Sequence, residues 1–598
     1  MGIRYFPTGN EMISIPKLNE ATGGIEDVTF LHMGYKGLVE LRGGVDISLM
    51  EPFVEQDGQP APLSSLEWDR LQFWVPHFSG QAGHIRVEGT VLTPIEERGF
   101  LYRMELTNMD SAPHAIVCGL QGCWNSAWHC VNEDKQIEGT MHCFESGWNG
   151  SLIFDMRCGI PLFCFAPMPE DSSCVSTWEQ SDAGVCYRLA HSYTLGPRQR
   201  RTVTVYWGFG MEEVSAATSA KEMLRRGYPY EEAQTLLWLR ERTLWLEDDA
   251  LRRFYNTNLF FCLFFSTGIT LDTEELVLVT SRSPRYYVSA AYWDRDSLLW
   301  SFPAILDADR GLARRMLEYV FGRQRRNIGT HSRFIDGIVL EPGFELDELM
   351  APVLALGRYV EVTGDRSLLD EREVRRGLDE ILQKLEKRRH PHTALYATFL
   401  QPTDDEIVYP YLTYDNVLVW KGLTILAKLL GREELTQQAQ QVKQAIWDNC
   451  VMEQNEKRYF AWSIDLDGRH DVYDEPPGSL QLLPYWGFCD AGDSVYRNTV
   501  DMIRSPGYRY SFAGFLFGEI GCPHAPHPWL LSVANSLLCG RLEHSTDILK
   551  NAAMDNGIAC ESIDETTGAC TTGEAFATCA GFVCHALRTA MGGTAHAE

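Results

Sequence analysis

This sequence contains no long apolar run and has little positive charge. Its longest apolar stretch, Leu259 to Phe265, is much shorter than the roughly 20 residues that a membrane-spanning helix needs. The first residues lack the charged-then-apolar pattern of a secretion signal. A formal net charge of −28 would repel a phosphate backbone. We therefore expect a cytoplasmic protein with neither membrane nor nucleic acid among its partners.

Cysteine and metal-ligand patterns are missing as well. The 17 cysteines are odd in number and lack the spacing of a disulfide framework, so we expect most of them to be free thiols. Two histidine pairs, in 390–392 and 524–527, have no second cluster of cysteine or histidine at zinc-site spacing. The sequence therefore predicts neither a metal site nor a cofactor.

What the sequence does contain is the composition of a soluble globular protein, with two different periodicities. A chain of 598 residues with 45% apolar and 22% charged residues is expected to form more than one domain. Residues 1–210 consist of short alternating segments such as Thr202–Trp207, separated by glycine, proline, asparagine and aspartate. Alternation of this kind is typical of the strands in an all-β sandwich.

Helical periodicity takes over after this part. Residues 211–246 are predicted to form a helical linker, and residues 247–598 contain about twelve helical segments. Leu435, Ala439 and Val442, for example, share one apolar face. Twelve helices in alternating inner and outer layers predict an (α/α)6 toroid barrel, whose inner helices begin around one central pit. The predicted fold class is multidomain β + α, with an N-terminal β-sandwich followed by this barrel.

Acids and aromatic residues recur together at helix starts and in loops of the helical part. Carboxylates bind sugar hydroxyls and aromatic rings bind the C–H faces of sugars. Acids near a helix N-terminus also complement the helix dipole, but four such clusters in one toroid favour a pair of carboxyls for glycoside hydrolysis. The acids of the four clusters are Asp294 and Asp296; Glu345, Asp347 and Glu348; Asp404, Asp405 and Glu406; and Glu561.

Several segments resemble known glycosidases. Trp293–Ser297, Leu346–Pro352 and Tyr359–Asp365 resemble the glycogen-debranching α-glucosidase superfamily. Cys560–Gly568 and Gly573–Thr578 are similar to the closing segment of processing α-glucosidases and mannosylglycerate hydrolases, glycoside hydrolase family 63. The resemblance to these families implies an (α/α)6 barrel and an inverting mechanism.

Pro526–Leu531 also resembles the exo-α-mannosidases of family 125, and together the resemblances extend over about residues 245–590. They imply that Glu561 is the general base, since it lies seven residues before the glycine of a Thr-Gly turn. They imply that Asp404 is the general acid, with Asp405 as a rival because the relatives carry a different segment there. The residues that we predict to bind substrate are Tyr292, Trp293, Asp294, Arg295, Asp296, Asp347, Glu348, Trp486 and Trp529.

The function that this sequence favours is an inverting exo-α-glycoside hydrolase, an α-glucosidase acting on small α-glucosides or α-glucan ends. An exo-α-mannosidase on the same barrel is one alternative. A non-catalytic sugar-binding protein that has lost one carboxyl is another. Phosphorylases and lyases rank lower, because a phosphorylase needs a basic phosphate pocket and the acidic loops contain none. A small carbohydrate is the expected partner, and a homo-oligomer is compatible with the sequence.

Overall fold

A computed structural model describes residues 3–44, 47–158 and 161–592 of the chain. Its N-terminal region, up to Gly210, is built from β-strands, and the rest is mainly helical. The predicted order of a β-rich region followed by a helical region is therefore confirmed at this level. Among the described residues, no helix combines the length and the apolar character needed to cross a membrane.

The N-terminal region contains three sheets in which all neighbouring strands are antiparallel. A six-stranded sheet consists, in spatial order, of Thr8–Gly9, Ile13–Ile15, Asp27–His32, Gly37–Arg42, Ser126–Cys130 and Asp134–Gln136. An eight-stranded sheet consists of Thr140–Glu145, Leu152–Arg157, Pro161–Pro169, Arg200–Gly210, Gly99–Asn108, Ile85–Leu92, Val75–Ala82 and Ser64–Leu71. A five-stranded sheet consists of Val175–Ser181, Gly184–Leu195, His114–Trp124, Glu51–Gln56 and Gln59–Pro60.

The three sheets share one hydrophobic core, because alternate residues of their strands point to the same interior. Phe30, Leu120 and Trp207, one from each sheet, are fully buried members of it. Cys123 and Cys186 lie opposite each other on neighbouring strands and form a disulfide. One disulfide agrees with the expectation that most cysteines are free thiols, since the other fifteen, ten of them buried, form no disulfide within the described residues.

Thirteen α-helices follow within the described residues. They are α1 (Glu213–Arg226), α2 (Tyr228–Arg242), α3 (Asp249–Phe265), α4 (Phe302–Ala308), α5 (Arg310–Gly322), α6 (Leu346–Thr363), α7 (Arg372–Glu386), α8 (Thr413–Leu430), α9 (Glu433–Asn449), α10 (Ser494–Ile503), α11 (Leu530–Leu538), α12 (Leu542–Asn551) and α13 (Ala577–Ala590). A π-helical turn, Arg295–Ser301, leads directly into α4. Short 3₁₀ turns occupy Gln324–Asn327, Ser367–Asp370, Pro476–Gly478 and Leu480–Leu482.

Short antiparallel strands connect the helices. They are Thr267–Ile269, Leu276–Leu278, Thr330–Arg333, Val339–Phe344, Tyr411–Leu412, Val451–Gln454, Lys457–Phe460, Ser463–Ile464, His470–Asp471, Ser562–Ile563 and Cys570–Thr572. These strands lie in the connections between helices. Several of the residues described below are on or next to them.

The helices divide into two kinds by burial. The first eleven residues of α6, Leu346 to Leu356, are all buried, which is typical of a helix surrounded by protein. By contrast, α7 buries one face only, at Val374, Gly377, Leu378, Ile381 and Leu385. The buried helices contact one another. Helix α6 contacts both the π-helical turn and α8. Helix α13 contacts α11, the π-helical turn and α3. Buried inner helices and one-faced outer helices therefore coexist in this region.

The β-rich and helical regions share a continuous core. Trp74 of the eight-stranded sheet's edge stacks on Phe264 of α3, with ring centroids 5.5 Å apart. Arg282, fully buried after α3, donates to the backbone oxygens of Asn10 and Phe264. Leu31 and Leu38 belong to the same buried cluster as the helical residues. The two regions consequently meet through apolar packing as well as through hydrogen bonds.

Candidate active site

One cavity of about 260 Å³ contains Asp404 and Glu561, two of the three carboxyl groups that the sequence predicted to be catalytic. Its walls come mainly from segments that precede buried helices: Asp296 before α4, Asp404 before α8, Trp529 before α11 and Glu561 before α13. A larger groove of about 800 Å³ lies between the loop at residue 72 and helix α2, but no acid or histidine lines it. The chemistry available in the smaller cavity makes it the candidate site.

Glu561 is buried at one side of the cavity and is held by neutral groups. The Tyr287 hydroxyl donates to its Oε2 at 2.5 Å, and the Thr572 hydroxyl donates to its Oε1 at 3.2 Å. Burial raises the pKa of Glu561, while the Tyr287 hydrogen bond, the nearby His524 and the Thr572 hydrogen bond oppose that rise. A carboxyl in this setting can accept a proton from a water molecule in the cavity.

The backbone around Glu561 is fixed from two sides. Its N–H donates to the carbonyl of Gly573, and its carbonyl accepts from the N–H of Leu530. Gly573 has a φ of 62°, and a Cβ at this position would lie 2.6 Å from the Cβ of Glu561. Glycine is therefore required here both by the left-handed backbone and by the close approach to the carboxyl residue.

Asp404, by contrast, is held by a network of charged side chains. Its Oδ1 is 2.5 Å from the Nη2 of Arg295 and 3.6 Å from the Nδ1 of His331. The residue has a positive φ of 69° in the loop before α8, and its side chain is 38% exposed. This exposure leaves the carboxyl accessible from the cavity while one oxygen is held by Arg295.

Arg295 is the centre of this network. Its Nη1 contacts Glu345 at 2.5 Å and Asp347 at 2.9 Å, so one buried guanidinium serves three carboxylates together with Asp404. Burial alone would lower the pKa of Arg295, but the surrounding carboxylates outweigh it and raise the pKa further above its ordinary value. The arginine remains charged and orients the acids around it.

His331 carries a second positive charge into the network. Burial would lower its pKa, but hydrogen bonds to Glu341 and Glu345 and the charge of Asp404 raise the pKa to about 10. Its Nδ1 contacts Glu345, and its Nε2 is 3.3 Å from Glu341. Ligand atoms of His331, Glu345 and Asp404 lie within 4.8 Å of one another, close enough to hold a metal ion. The Arg295 guanidinium already balances these carboxylates, so an ion-pair network accounts for the group; the absence of a metal stays a prediction.

Glu475 holds the loop that carries Asp404. Its Oε1 accepts from the Gln401 side-chain amide at 2.6 Å, from the Thr403 hydroxyl at 2.8 Å and from the Tyr473 hydroxyl at 3.0 Å. The residue is fully buried, and burial raises the pKa of Glu475 to about 8. Two of its three partners flank Pro402 in the loop, so Glu475 fixes the backbone from which the Asp404 side chain extends.

Asp296 is a further carboxyl in the cavity wall. The Thr578 hydroxyl donates to its Oδ1 at 2.8 Å. Burial raises the pKa of Asp296 to about 7, with the opposing charge of Arg295 as the next contribution. A carboxyl with this pKa is partly protonated near neutral pH, which makes Asp296 a structural rival to Asp404 as proton donor.

The structure separates the predicted substrate-binding residues into two groups. Trp293, Arg295, Asp296 and Trp529 line the cavity together with Asp404 and Glu561. Tyr292, Asp294, Asp347, Glu348, Asp405 and Trp486 lie outside its lining. The predicted roles of both groups stay predictions.

Among the residues outside the lining, Tyr292, Asp294, Asp347 and Glu348 have protein partners at their polar atoms. Glu348 accepts the backbone N–H groups of Asp294 at 2.5 Å and Arg295 at 3.1 Å, so it caps the helical segment. Asp294 is bound by the Tyr292 hydroxyl and by the Arg333 guanidinium.

The last two residues of this group differ in exposure. The Asp405 carboxyl is 54% exposed and lies 4.0 Å from His524, whereas Trp486 is buried against Tyr485 with ring centroids 4.9 Å apart.

Sequence reasoning missed several residues of the cavity or its support. Tyr287 lies between α3 and the π-helical turn, next to Tyr286, and these two adjacent tyrosines were the only local signal. His524 belongs to a histidine pair that zinc spacing excluded, and His331 and Glu475 have no local motif. Asn132 lies in the β-rich region, far from the resemblance, yet it lines the cavity.

Comparisons with known families match part of the helical region. The family of metal-independent α-mannosidases, glycoside hydrolase family 125, matches residues 388–587. The meiotically up-regulated gene 157 protein of Schizosaccharomyces pombe (strain 972 / ATCC 24843) is 26% identical over 194 residues, or 29% of this chain. The chain spans 37% of the length of that relative. Both Asp404 and Glu561 lie inside the family match.

Solved structures resemble the chain in fold. A bacterial glucoamylase complexed with acarbose has a TM-score of 0.66 at 13% identity and covers 99% of this chain and 94% of its own. A putative kojibiose phosphorylase from the human microbiome has a TM-score of 0.63 at 10% identity, covering 98% and 87%. A metal-independent α-mannosidase of Streptococcus pneumoniae, in a non-productive complex with α-1,6-mannobiose, has a TM-score of 0.51 at 17% identity, covering 62% and 96%.

The resemblance predicted from the sequence is supported for the wider group of glycosidases with this fold, and not for family 63 in particular. The match to a glycoside hydrolase family and the glycosidase and phosphorylase folds confirm the prediction that this chain is a glycosidase.

Proposed function

We propose that the chain is an inverting exo-α-mannosidase with a β-sandwich over residues 1–210, a helical linker over 211–246 and an (α/α)6 barrel over 247–598. The observation that carries the proposal is that Asp404 and Glu561 line one cavity and both lie in the segment matched by the α-mannosidase family. The alternation of buried and one-faced helices supports the barrel. We further propose a cytoplasmic location, on the sequence grounds given above.

In the proposed mechanism, Glu561 removes a proton from a water molecule as that water attacks the anomeric carbon. Asp404 gives a proton to the glycosidic oxygen, and the bond from this oxygen to the anomeric carbon breaks. Water adds from the side opposite to the leaving sugar, so the configuration inverts. Tyr287 holds Glu561 in position, and Glu475 with Arg295 holds the loop and the carboxyl of Asp404.

The composition of the cavity favours hydrolysis over phosphorolysis. Inorganic phosphate needs a cationic pocket, and in the described part of the cavity lining the cationic or basic groups are Arg295, His331 and His524. Arg295 and His331 are already paired with carboxylates. A phosphate beside Glu561 would in addition meet a buried acid, which is unfavourable for a dianion.

Hydrolysis of paired aryl glycosides tests the proposal. We expect the purified chain to release the phenol from 4-nitrophenyl α-mannoside and to act more weakly on the matched α-glucoside. Proton NMR should detect β-mannose as the first product. Preference for the glucoside would support the α-glucosidase function that the sequence favoured. Retention of configuration, or formation of a sugar 1-phosphate with added phosphate, would contradict inverting hydrolysis, and no activity on either would contradict the proposed function.

A further inference from the structure

The β-rich region contributes a side chain to the cavity. Asn132 stands at the tip of a hairpin between the strands Ser126–Cys130 and Asp134–Gln136, and it lines the cavity beside Glu341. Its Oδ1 is buried and has no hydrogen-bond partner. A buried amide oxygen without a partner costs free energy unless a ligand or water binds it. Because Asn132 lines the cavity, a rotation of its side chain presents this unused acceptor to whatever fills the cavity.

The hairpin is held rigidly enough to present that acceptor in a fixed position. The Ser289 hydroxyl donates to the carbonyl of Val131 at 3.2 Å. Val131 is 4% exposed and belongs to the hydrophobic cluster of the helical region. The residue before Asn132 is therefore embedded in the helical region, so Asn132 is placed by packing that precedes substrate binding.

Asn132 belongs to the side of the cavity that carries Asp404. The Asn132 amide interacts with the Glu341 carboxylate, whose pKa is lowered chiefly by His331. His331 lies 3.3 Å from Glu341 and 3.6 Å from Asp404. A line of contacts thus runs from the hairpin to the proposed proton donor, whereas among the described residues the side-chain hydrogen bonds of Glu561 come from Tyr287 and Thr572 and not from Asn132. The sugar that meets this wall is the one whose oxygen Asp404 protonates.

We propose that Asn132 binds a hydroxyl of the sugar on the leaving-group side, so that the β-rich region helps to select the substrate. This inference rests on the proposed hydrolase function. The pneumococcal α-mannosidase leaves over a third of this chain unmatched while being covered over 96% of its own length. The role of the N-terminal region in the site therefore rests on this chain's own residues.

Asn132→Ala tests the inference on two substrates that differ only at the leaving group. An α-linked mannobiose offers hydroxyls on that side, and 4-nitrophenyl α-mannoside offers none. We expect kcat/KM for the mannobiose to fall about tenfold, as for the loss of one hydrogen bond to a neutral group, and kcat/KM for the aryl mannoside to change less than twofold. Glu133→Ala is the matched control, because the neighbouring side chain is 80% exposed and does not line the cavity.

Binding without turnover separates this inference from the proposed function. In a Glu561→Gln background, titration calorimetry should give a mannobiose Kd about ten times weaker with Asn132→Ala than without it. Wild-type activity together with an unchanged ratio between the two substrates would overturn the role of Asn132. An equal loss on both substrates would move its contact to the other sugar and overturn the leaving-group assignment. Absence of wild-type activity would instead contradict the hydrolase function, and calorimetry with the chain would still report on Asn132.

Discussion

The two sides of the cavity hold their carboxyls by different physical means. Glu561 is buried beside two hydroxyl groups, and its pKa is raised by desolvation against the Tyr287 hydrogen bond, the charge of His524 and the Thr572 hydrogen bond. Asp404 is 38% exposed, and its carboxyl is held in place by full charges, through Arg295 and the other carboxylates that Arg295 contacts. On the first side each neighbour acts nearly alone. On the second side, removal of any member leaves buried charges unpaired, so effects spread to stability as well as to activity.

The largest expected effect is on the Glu561 side. Glu561→Gln keeps the shape of the side chain but removes the proton acceptor, so we expect kcat to fall at least about 10⁴-fold on every α-glycoside. Steady-state assays with aryl and natural substrates measure this loss. Glu565→Gln is the control, since that residue pairs with His527 outside the cavity lining. Activity within tenfold of wild type would reject Glu561 as the base.

The next effect distinguishes the possible proton donors. Asp404→Asn should reduce kcat on a mannobiose by about 10²–10³-fold and on an aryl mannoside with an acidic phenol by less than about tenfold, because a good leaving group needs little protonation. Asp405→Asn and Asp296→Asn, tested in parallel, should either reduce kcat on both substrates by the same factor or leave kcat on both unchanged. If one of these two shows the selective pattern and Asp404→Asn does not, the acid is reassigned to that residue.

A third prediction concerns stability on the charged side. The pKa of His331 is about 10 in the folded chain against an ordinary 6.5, so the folded chain binds this proton more tightly than the unfolded chain does. This stabilisation is complete below pH 6.5 and is lost as the pH rises through 10. Replacing His331 with Gln removes one of the two buried cations that contact Glu345 and leaves Arg295 as the other, and it should cost about 3 kcal/mol at pH 6.

Thermal unfolding of His331→Gln and wild type at pH 6 and at pH 10 measures this difference. The decrease in Tm should shrink clearly at pH 10. Exposed His392 provides the control, since His392→Gln is expected to leave Tm unchanged at both pH values. An equal decrease at both pH values would show that the imidazole's charge does not contribute.

The smallest effect is a shift in the pH profile. The Tyr287 hydrogen bond favours the ionised form of Glu561 and so lowers its pKa. Tyr287→Phe should raise that pKa further, and the acidic limb of the kcat/KM profile should move to higher pH by about one unit. Exposed Tyr230 serves as the control through Tyr230→Phe. A shift towards lower pH, or none, would mean that Glu561 does not control this limb.

Local features of the sequence predicted the fold better than they predicted the site. The change from alternation of period two to helical periodicity was readable because each is a local consequence of backbone geometry. The strand Arg200–Gly210 and the helix that begins at Glu213 lie on either side of the predicted change. The disulfide Cys123–Cys186 was not readable, because it depends on which strands become neighbours.

Convergence of distant segments explains why the site was only partly predicted. Glu561 stood in a segment that resembles known families and Asp404 lay between such segments, whereas Asn132 and His331 reach the cavity only through tertiary packing. Glu348 illustrates the reverse difficulty. A carboxylate that caps a helix and one that binds a sugar have the same local pattern, and only the hydrogen bonds of Glu348 to backbone N–H groups tell them apart.

The π-helical turn at Arg295–Ser301 makes the length of this segment as important as its composition. Such a turn accommodates one residue more than an α-helical turn, and here all seven of its residues are buried. Deleting one residue would let the turn relax into the register of α4, rotating everything before it by about 100°. Asp296 would then turn away from Thr578, while the packing of α4 stayed intact. Insertions and deletions here should therefore be rarer among active relatives than conservative replacements.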